Sequence, residues 1–171
     1  MSQATTFIWH LAELADNSTR DRAPLARLRR ALSEEPRELA RVFPLVIPYA
    51  PRYRQAQDAY LRAACLFGLH PSNKAELAQG ISLAEALLRI RREPGDSTEA
   101  RFVALLESHS EDLPVHLRHC ISLVASQGIK LKWTDILDAL LYWDANDVPT
   151  NTSPRRRWAQ DFWGQGARPS S

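Results

Sequence analysis

Glycine is scarce in this chain. Six glycines in 171 residues, with neither GxGxxG nor GxxxxGK followed by Ser or Thr, leave no loop of the kind that cradles a dinucleotide or a nucleoside triphosphate. Cysteine is scarcer still. Cys65 and Cys120 each sit alone inside an apolar helical pattern, the ordinary place of a reduced, buried thiol rather than of a disulfide or a metal ligand. No apolar run approaches the roughly 20 residues of a membrane span, and Met1 to Trp9 has no charged start followed by an apolar stretch, so neither a membrane nor a secretory signal is expected. A cytoplasmic location follows. The sequons Asn17-Ser18-Thr19 and Asn151-Thr152-Ser153 then read as turns and helix starts rather than as glycosylation sites. Lysine, too, is nearly absent: Lys74, Lys130 and Lys132 are the only lysines among 22 basic residues, and the net charge is +2. The small net charge excludes a uniformly basic, histone-like binder. Arginine supplies the remaining cations, and its planar fork suits phosphate, although an arginine-biased genome would give the same composition.

What is present is helical period. Phe7, Leu11 and Leu14 recur at three and four, as do Leu25, Leu28 and Leu32 after Pro24. Pro36 opens a third helix to about Phe43, and Pro44, Pro48 and Pro51 argue against continuous helix between 44 and 51. Tyr53, Ala56, Tyr60, Ala64 and Phe67 share one face of a long helix that stops near Gly68. Residues 69–80 carry turn formers and read as a surface loop. Ser82 with Glu85 and Asp96 with Glu99 form capping-box patterns, separated by the break at 93–97. Leu113 to Val124, stopping at Gly128, Trp133 to Leu141, and a last helix opened by Ser153-Pro154 complete the set. No segment alternates with a period of two. The expectation is an all-α chain of eight or nine helices in two small bundles, residues 1–93 and 94–171, joined by a short linker near residue 95.

Candidate catalytic groups are thin. His116 and His119 have i, i+3 spacing, but no HExxH or ExxH accompanies them, so solvated or core-edge histidines are the simpler reading. Glu107, Glu111, Asp112, Asp135, Asp138, Asp144 and Asp147 fall mostly at helix ends and polar faces, where capping and solubility explain them. A two-metal nuclease is the weaker alternative. No enzyme and no cofactor are expected.

The arginines are more informative by position. Arg27, Arg29 and Arg30, with Arg20 and Arg22 before them, give one helix a concentrated positive face. Pairing with Glu34, Glu35 and Asp21 would make it an ordinary solvated face. Arg155, Arg156 and Arg157 occupy the first turn of the Ser153-Pro154 helix, where the macrodipole is already positive. A local rule broken without visible compensation points to an anion site. Arg89, Arg91 and Arg92 lie in the last turn of their helix, where the dipole favours them, and read as structural.

Specific stretches go further than composition. Gly80-Ile81-Ser82-Leu83, Glu99-Ala100-Arg101-Phe102-Val103-Ala104-Leu105-Leu106, Leu117-Arg118, and Trp133 opening a helix that ends in Leu141-Tyr142-Trp143, together with Leu28-Arg29-Arg30, Pro51-Arg52 and the Arg62 to Leu66 segment, resemble the CasB family, the small subunit of the type I-E CRISPR Cascade surveillance complex. The likeness covers about residues 7–163. It implies a two-lobed helical protein without catalytic chemistry, present as two copies alongside the backbone and large subunits of the complex. There it would help hold the crRNA and target DNA strand and steady the displaced non-target strand of the R-loop. The family's basic surface would fall on Arg29, Arg30 and Arg52, with Arg101 and Arg118 in the second lobe. Helix geometry adds Arg27 and Arg54, and the anion-site argument adds Arg155 and Arg156. The rival reading is an adaptor that touches only other proteins, with Trp143 and Trp163 as contact residues.

Overall fold

The computed structural model describes residues 1–144 and 153–164. Asp147 and the Asn151-Thr152 part of the second sequon lie outside these residues. The described chain is all α, ten helices joined by short turns: α1 Gln3–Asp16, α2 Ala23–Arg30, α3 Pro36–Val46, α4 Arg54–Phe67, α5 Lys74–Leu77, α6 Leu83–Ile90, α7 Ser97–Glu107, α8 Leu113–Ser126, α9 Trp133–Tyr142 and α10 Pro154–Trp163.

Two departures from the sequence expectation have local causes. α3 continues past Pro44 to Val46, because Pro44 is exposed while Val42 and Val46 on the other face are buried. The stretch 69–80 contains α5, one turn held by a capping box. Asn73 accepts from the Glu76 N–H at 2.9 Å and Glu76 accepts from the Asn73 N–H at 3.0 Å. Where caps were expected, Ser82 Oγ accepts from Glu85 N–H at 3.1 Å and Asp96 from Glu99 N–H at 3.0 Å. Glu99 turns back one residue further than a capping box requires, accepting from the Gly95 N–H at 2.8 Å.

α4 is the central element. Its buried face is built of Ala56, Ala59, Ala63 and Ala64 among Tyr60, Cys65, Leu66 and Phe67, and small side chains let α2, α3, α8 and α9 come close. Phe67 meets Trp133 with ring centroids 5.2 Å apart, while Tyr60 lies near Tyr142 and Asp138. α4 and α9 therefore run antiparallel. Tyr53, expected on the buried face, is 61% exposed. It is the residue before the helix starts and is extended (φ −97°, ψ 145°), so the helical phase does not reach it.

One hydrophobic core runs from Phe7 in α1 to Phe162 in α10. α6 packs on α7, α8 and α10, and α9 packs on α4 and α1, so helices from either side of residue 95 interleave. The Gly80-Ile81-Ser82 motif has a backbone explanation. Ile81 N–H donates to Lys130 O at 3.1 Å and Lys132 N–H to Ile81 O at 2.8 Å, pinning the starts of α6 and α9 side by side. A Cβ on Gly80 would lie 2.5 Å from the Leu131 carbonyl oxygen.

Candidate nucleic-acid interface

α2 supplies the clearest site. Leu28 is fully buried and rests on Gly68 at the end of α4. A Cβ there would come within 2.9 Å of Arg29 N and 3.1 Å of Leu28 Cβ, so glycine is what allows the last turn of α2 to lie on α4. That close contact fixes where the arginines project. Arg22, Ala26, Arg29 and Arg30 stand at i, i+4, i+7 and i+8, one helical face. With Leu25, Leu69 and Pro71 they line an open groove whose lining contains no carboxylate.

Arg22, Arg29 and Arg30 are exposed and enter no ion pair among the described residues. Two of the three acids that were to neutralise this face have other partners. Asp21 accepts from Ala23 N–H at 3.0 Å, and Glu34 faces Arg62 at 4.0 Å. The negative end of α2 tolerates Arg29 and Arg30 locally, whereas Arg22 stands at the positive end and gains nothing from the helix dipole. Such a groove offers a line of forked donors suited to phosphate oxygens.

Of the nine arginines singled out from sequence, this groove gathers Arg29 and Arg30. Arg22, at the N-terminal boundary of α2, joins them. Its seven-residue spacing to Arg29 across a small Ala26 was the available signal. Arg27 is exposed on α2 outside the groove lining. Arg52 and Arg54 are exposed at the opposite end of α4, about 20 Å away at 1.5 Å per residue. Arg101 is exposed on α7, and its charge works against the burial that pushes the Cys120 thiol up to about 12. Cys65 is buried and likewise pushed up to about 12, first by burial. Arg118, on α8, lines a separate depression with Arg62, Glu34 and Asp58 beside Leu32, Leu39 and Val115.

Two of the three arginines in the triplet, Arg155 and Arg157, are compensated, contrary to the expectation drawn from their position. Arg155 donates to Leu106 O at 2.7 Å and to Asp144 at 2.9 Å, and its guanidinium lies 4.8 Å from the Trp143 ring centre. Burial works against the charge of Asp144, but the Ser110 N–H and Arg155 outweigh it and hold the carboxyl below its ordinary value. Arg157 faces Asp135 at 3.5 Å and Asp138 at 3.7 Å. Burial nonetheless raises Asp138, with Arg157 opposing. Arg156 alone of the three is exposed, in a depression where Lys132 and Arg157 face Glu85, Asp135 and Asp161. Arg155 is thus a packing residue, because its donors are taken by carbonyls that the sequence places far away.

Two aromatic expectations also divide. Trp143 is buried and donates to Ser108 O at 2.9 Å, so it is no contact residue. Trp163 is 42% exposed and packs on Phe102. Arg91 is structural as read, bonded to Glu99 at 3.0 Å. Among the described residues His116, His119 and the carboxylates form no group of three or more able to hold a metal ion, and no helix is long and apolar enough to cross a membrane.

The comparisons converge on one family. The family model for CRISPR-associated protein Cse2 matches residues 24–163. A CRISPR-associated protein Cse2 from Thermus thermophilus is 32% identical over 152 residues, 85% of this chain and 81% of its own. The crystal structure of CasB from Thermus thermophilus superposes with a TM-score of 0.75 at 27% identity, covering 96% of this chain and 99% of that one. CasB from M. ruber gives 0.68 at 27%, covering 97% and 95%. A chain of a CRISPR RNA-guided surveillance complex shares the fold, with a TM-score of 0.67 at 23% identity over 91% and 92% of the two chains. The family model over residues 24–163 and the 32% identical relative, with the shared fold beside them, place the chain in the CRISPR-associated Cse2 family, also called CasB.

Proposed function

We propose that this chain is a non-catalytic small subunit of an RNA-guided surveillance complex of the type I-E Cascade kind, working in the cytoplasm beside the backbone and large subunits and a second copy of itself. It holds the crRNA and target DNA and steadies the displaced non-target strand through their phosphates. The observation that carries this reading is the Arg22, Arg29 and Arg30 groove, cationic and free of carboxylates in its lining. R-loop formation exchanges one duplex for another of similar stability, so a few backbone contacts suffice to tip it. Contacts to phosphate do this for any sequence.

The test is single-stranded DNA binding across a salt series. Arg22→Ala, Arg29→Ala and Arg30→Ala each weaken binding equally for unrelated sequences, and each lost phosphate contact lowers the slope of log affinity against log salt by about 0.7. Arg89→Ala, on the exposed side of α6, leaves the slope unchanged. In the assembled complex the triple variant shortens R-loop lifetime. The adaptor reading draws on the depression beside Arg118, where Leu32, Leu39, Leu61 and Val115 offer an apolar surface to a protein. It replaces ours if the folded triple variant matches the wild type in both measurements.

A further inference from the structure

The corner where α4 begins and α9 ends carries two uncovered aromatic rings. Tyr53 is 61% exposed and Tyr142 is 46% exposed, whereas Tyr60, two turns into α4, is buried against Phe7 at 4.7 Å. The antiparallel pairing of α4 and α9, anchored where Phe67 meets Trp133, brings the other ends of the two helices together. Tyr142 stands nine residues from Trp133 in α9, and Tyr53 one extended residue before the thirteen helical steps from Arg54 to Phe67, which separates them along the helix axes by about 9 Å, between two and three base steps of about 3.4 Å. Burial raises the phenol of Tyr60, and the neighbouring phenols of Tyr142 and Tyr53 act in the same direction, as the shared corner requires. Arg52 and Arg54 flank Tyr53, both exposed, and neither is in an ion pair among the described residues. The acid closest in sequence on α4 is the exposed Asp58, and Asp138 of α9 faces Arg157.

We propose that Tyr53 and Tyr142 are a stacking platform for the bases of a single strand, with Arg52 and Arg54 taking the adjoining phosphates. Flat rings beside unpaired arginines meet the two needs of sequence-tolerant single-strand binding, since every base presents a π-face and every nucleotide a phosphate. This rests on the strand-holding function proposed above and adds a contact to bases beside the phosphate contacts of the α2 groove.

Binding to an oligo(dT) strand and to an abasic strand of the same length separates the two contributions, because both carry the same phosphates. Tyr53→Ala and Tyr142→Ala, each checked for wild-type helicity, weaken oligo(dT) binding about fivefold or more, leave abasic binding unchanged and keep the salt slope. Tyr53→Phe keeps wild-type affinity. Alanine variants that bind oligo(dT) like the wild type, or that lose equally on both strands, overturn the platform. The corner is then a surface for protein. Wild-type protein that binds neither strand at low salt removes the strand-holding function and the platform with it.

Discussion

Gly80→Ala tests whether the junction between the two halves of the chain sets the helix starts. The added Cβ would lie 2.5 Å from Leu131 O, 2.7 Å from Leu131 C and 2.9 Å from Lys132 N. All three are backbone atoms, so no side chain can swing aside. Relief requires the 80–82 segment to move away from 130–132, which stretches the Ile81 N–H bond to Lys130 and the Lys132 N–H bond to Ile81. Overpacking costs about 1–3 kcal/mol and each weakened backbone bond about 0.5–1.5 kcal/mol. With partial relaxation the sum is about 2–4 kcal/mol, which at about 2–4 °C per kcal/mol for a chain of this size lowers Tm by about 5–15 °C. Thermal unfolding followed by circular dichroism measures the loss, and amide exchange at Ile81 and Lys132 locates it. Gly95→Ala is the comparison. Gly95 has φ 79° with nothing within 4 Å of its notional Cβ, so only the left-handed backbone opposes alanine, at about 1 kcal/mol. A Gly80→Ala protein that melts no lower than Gly95→Ala, with Ile81 and Lys132 still protected, would refute the reasoning.

The structural role of Arg155 and the acid stability of the fold give two more expectations. Arg155→Ala loses the Leu106 carbonyl bond and the Trp143 ring contact, worth about 1–2 kcal/mol together, with little added by its solvent-open pair to Asp144. Melting falls by a few degrees while strand binding and its salt slope stay as in the wild type, and a folded variant with weakened strand binding would contradict that assignment. For acid, the Asn73 N–H and then Lys130, 2.6 Å away, hold Glu76 below its ordinary value, and the Gly95 N–H and then Arg91 do so for Glu99. Depressed carboxylates stabilise the fold above their unfolded values and lose this as pH falls through the folded ones. Tm should therefore hold from neutral pH to about 5 and drop below about pH 4.5. The raised Asp138 acts in the opposite sense, since its protonation favours the fold. If Glu76→Gln with Glu99→Gln leaves the acid limb of the Tm curve unshifted, these two groups do not account for it.

Helix positions were readable because leucine stripes and caps are local facts. Leu83 and Leu87 behind Ser82, or Leu117, Ile121 and Val124 in α8, are buried as their spacing demands. α5 escaped because a single turn has no period to detect, and its Asn73 and Glu76 lie among turn formers. The site divides in the same way. Arg29 and Arg30 belong to a helix whose leucine face shows which way they project, while Arg22 sits at the boundary, where phase is ill defined. Arg155 misled for a different reason. Its partners are Leu106 O in α7, far along the chain, and Asp144, just beyond the end of α9, and only the folded structure shows that its charge is answered. Tyr53 fits the α4 face on a helical wheel and yet points outward, because the helix begins one residue later.

A phosphate contact is worth most when the cations are already in place, because ordering long side chains and loops on binding subtracts from affinity. α4 meets the backbone part of this condition. Gly68 lets Leu28 and the Arg29 backbone rest directly on its end, and the chain leaving it is tied to the second half of the molecule at three successive points. His70 Nε2 donates to Ile129 O at 2.6 Å, Glu76 pairs with Lys130 at 2.6 Å, and Ile81 exchanges backbone bonds with Lys130 and Lys132. α9 starts at the next residue and returns along α4 to the tyrosine corner. The segment from Gly68 to Ser82 thus acts as a clasp. It holds α2, α4 and α9 in one frame, so that the α2 groove and the far end of α4 keep a fixed spacing of about 20 Å along the helix.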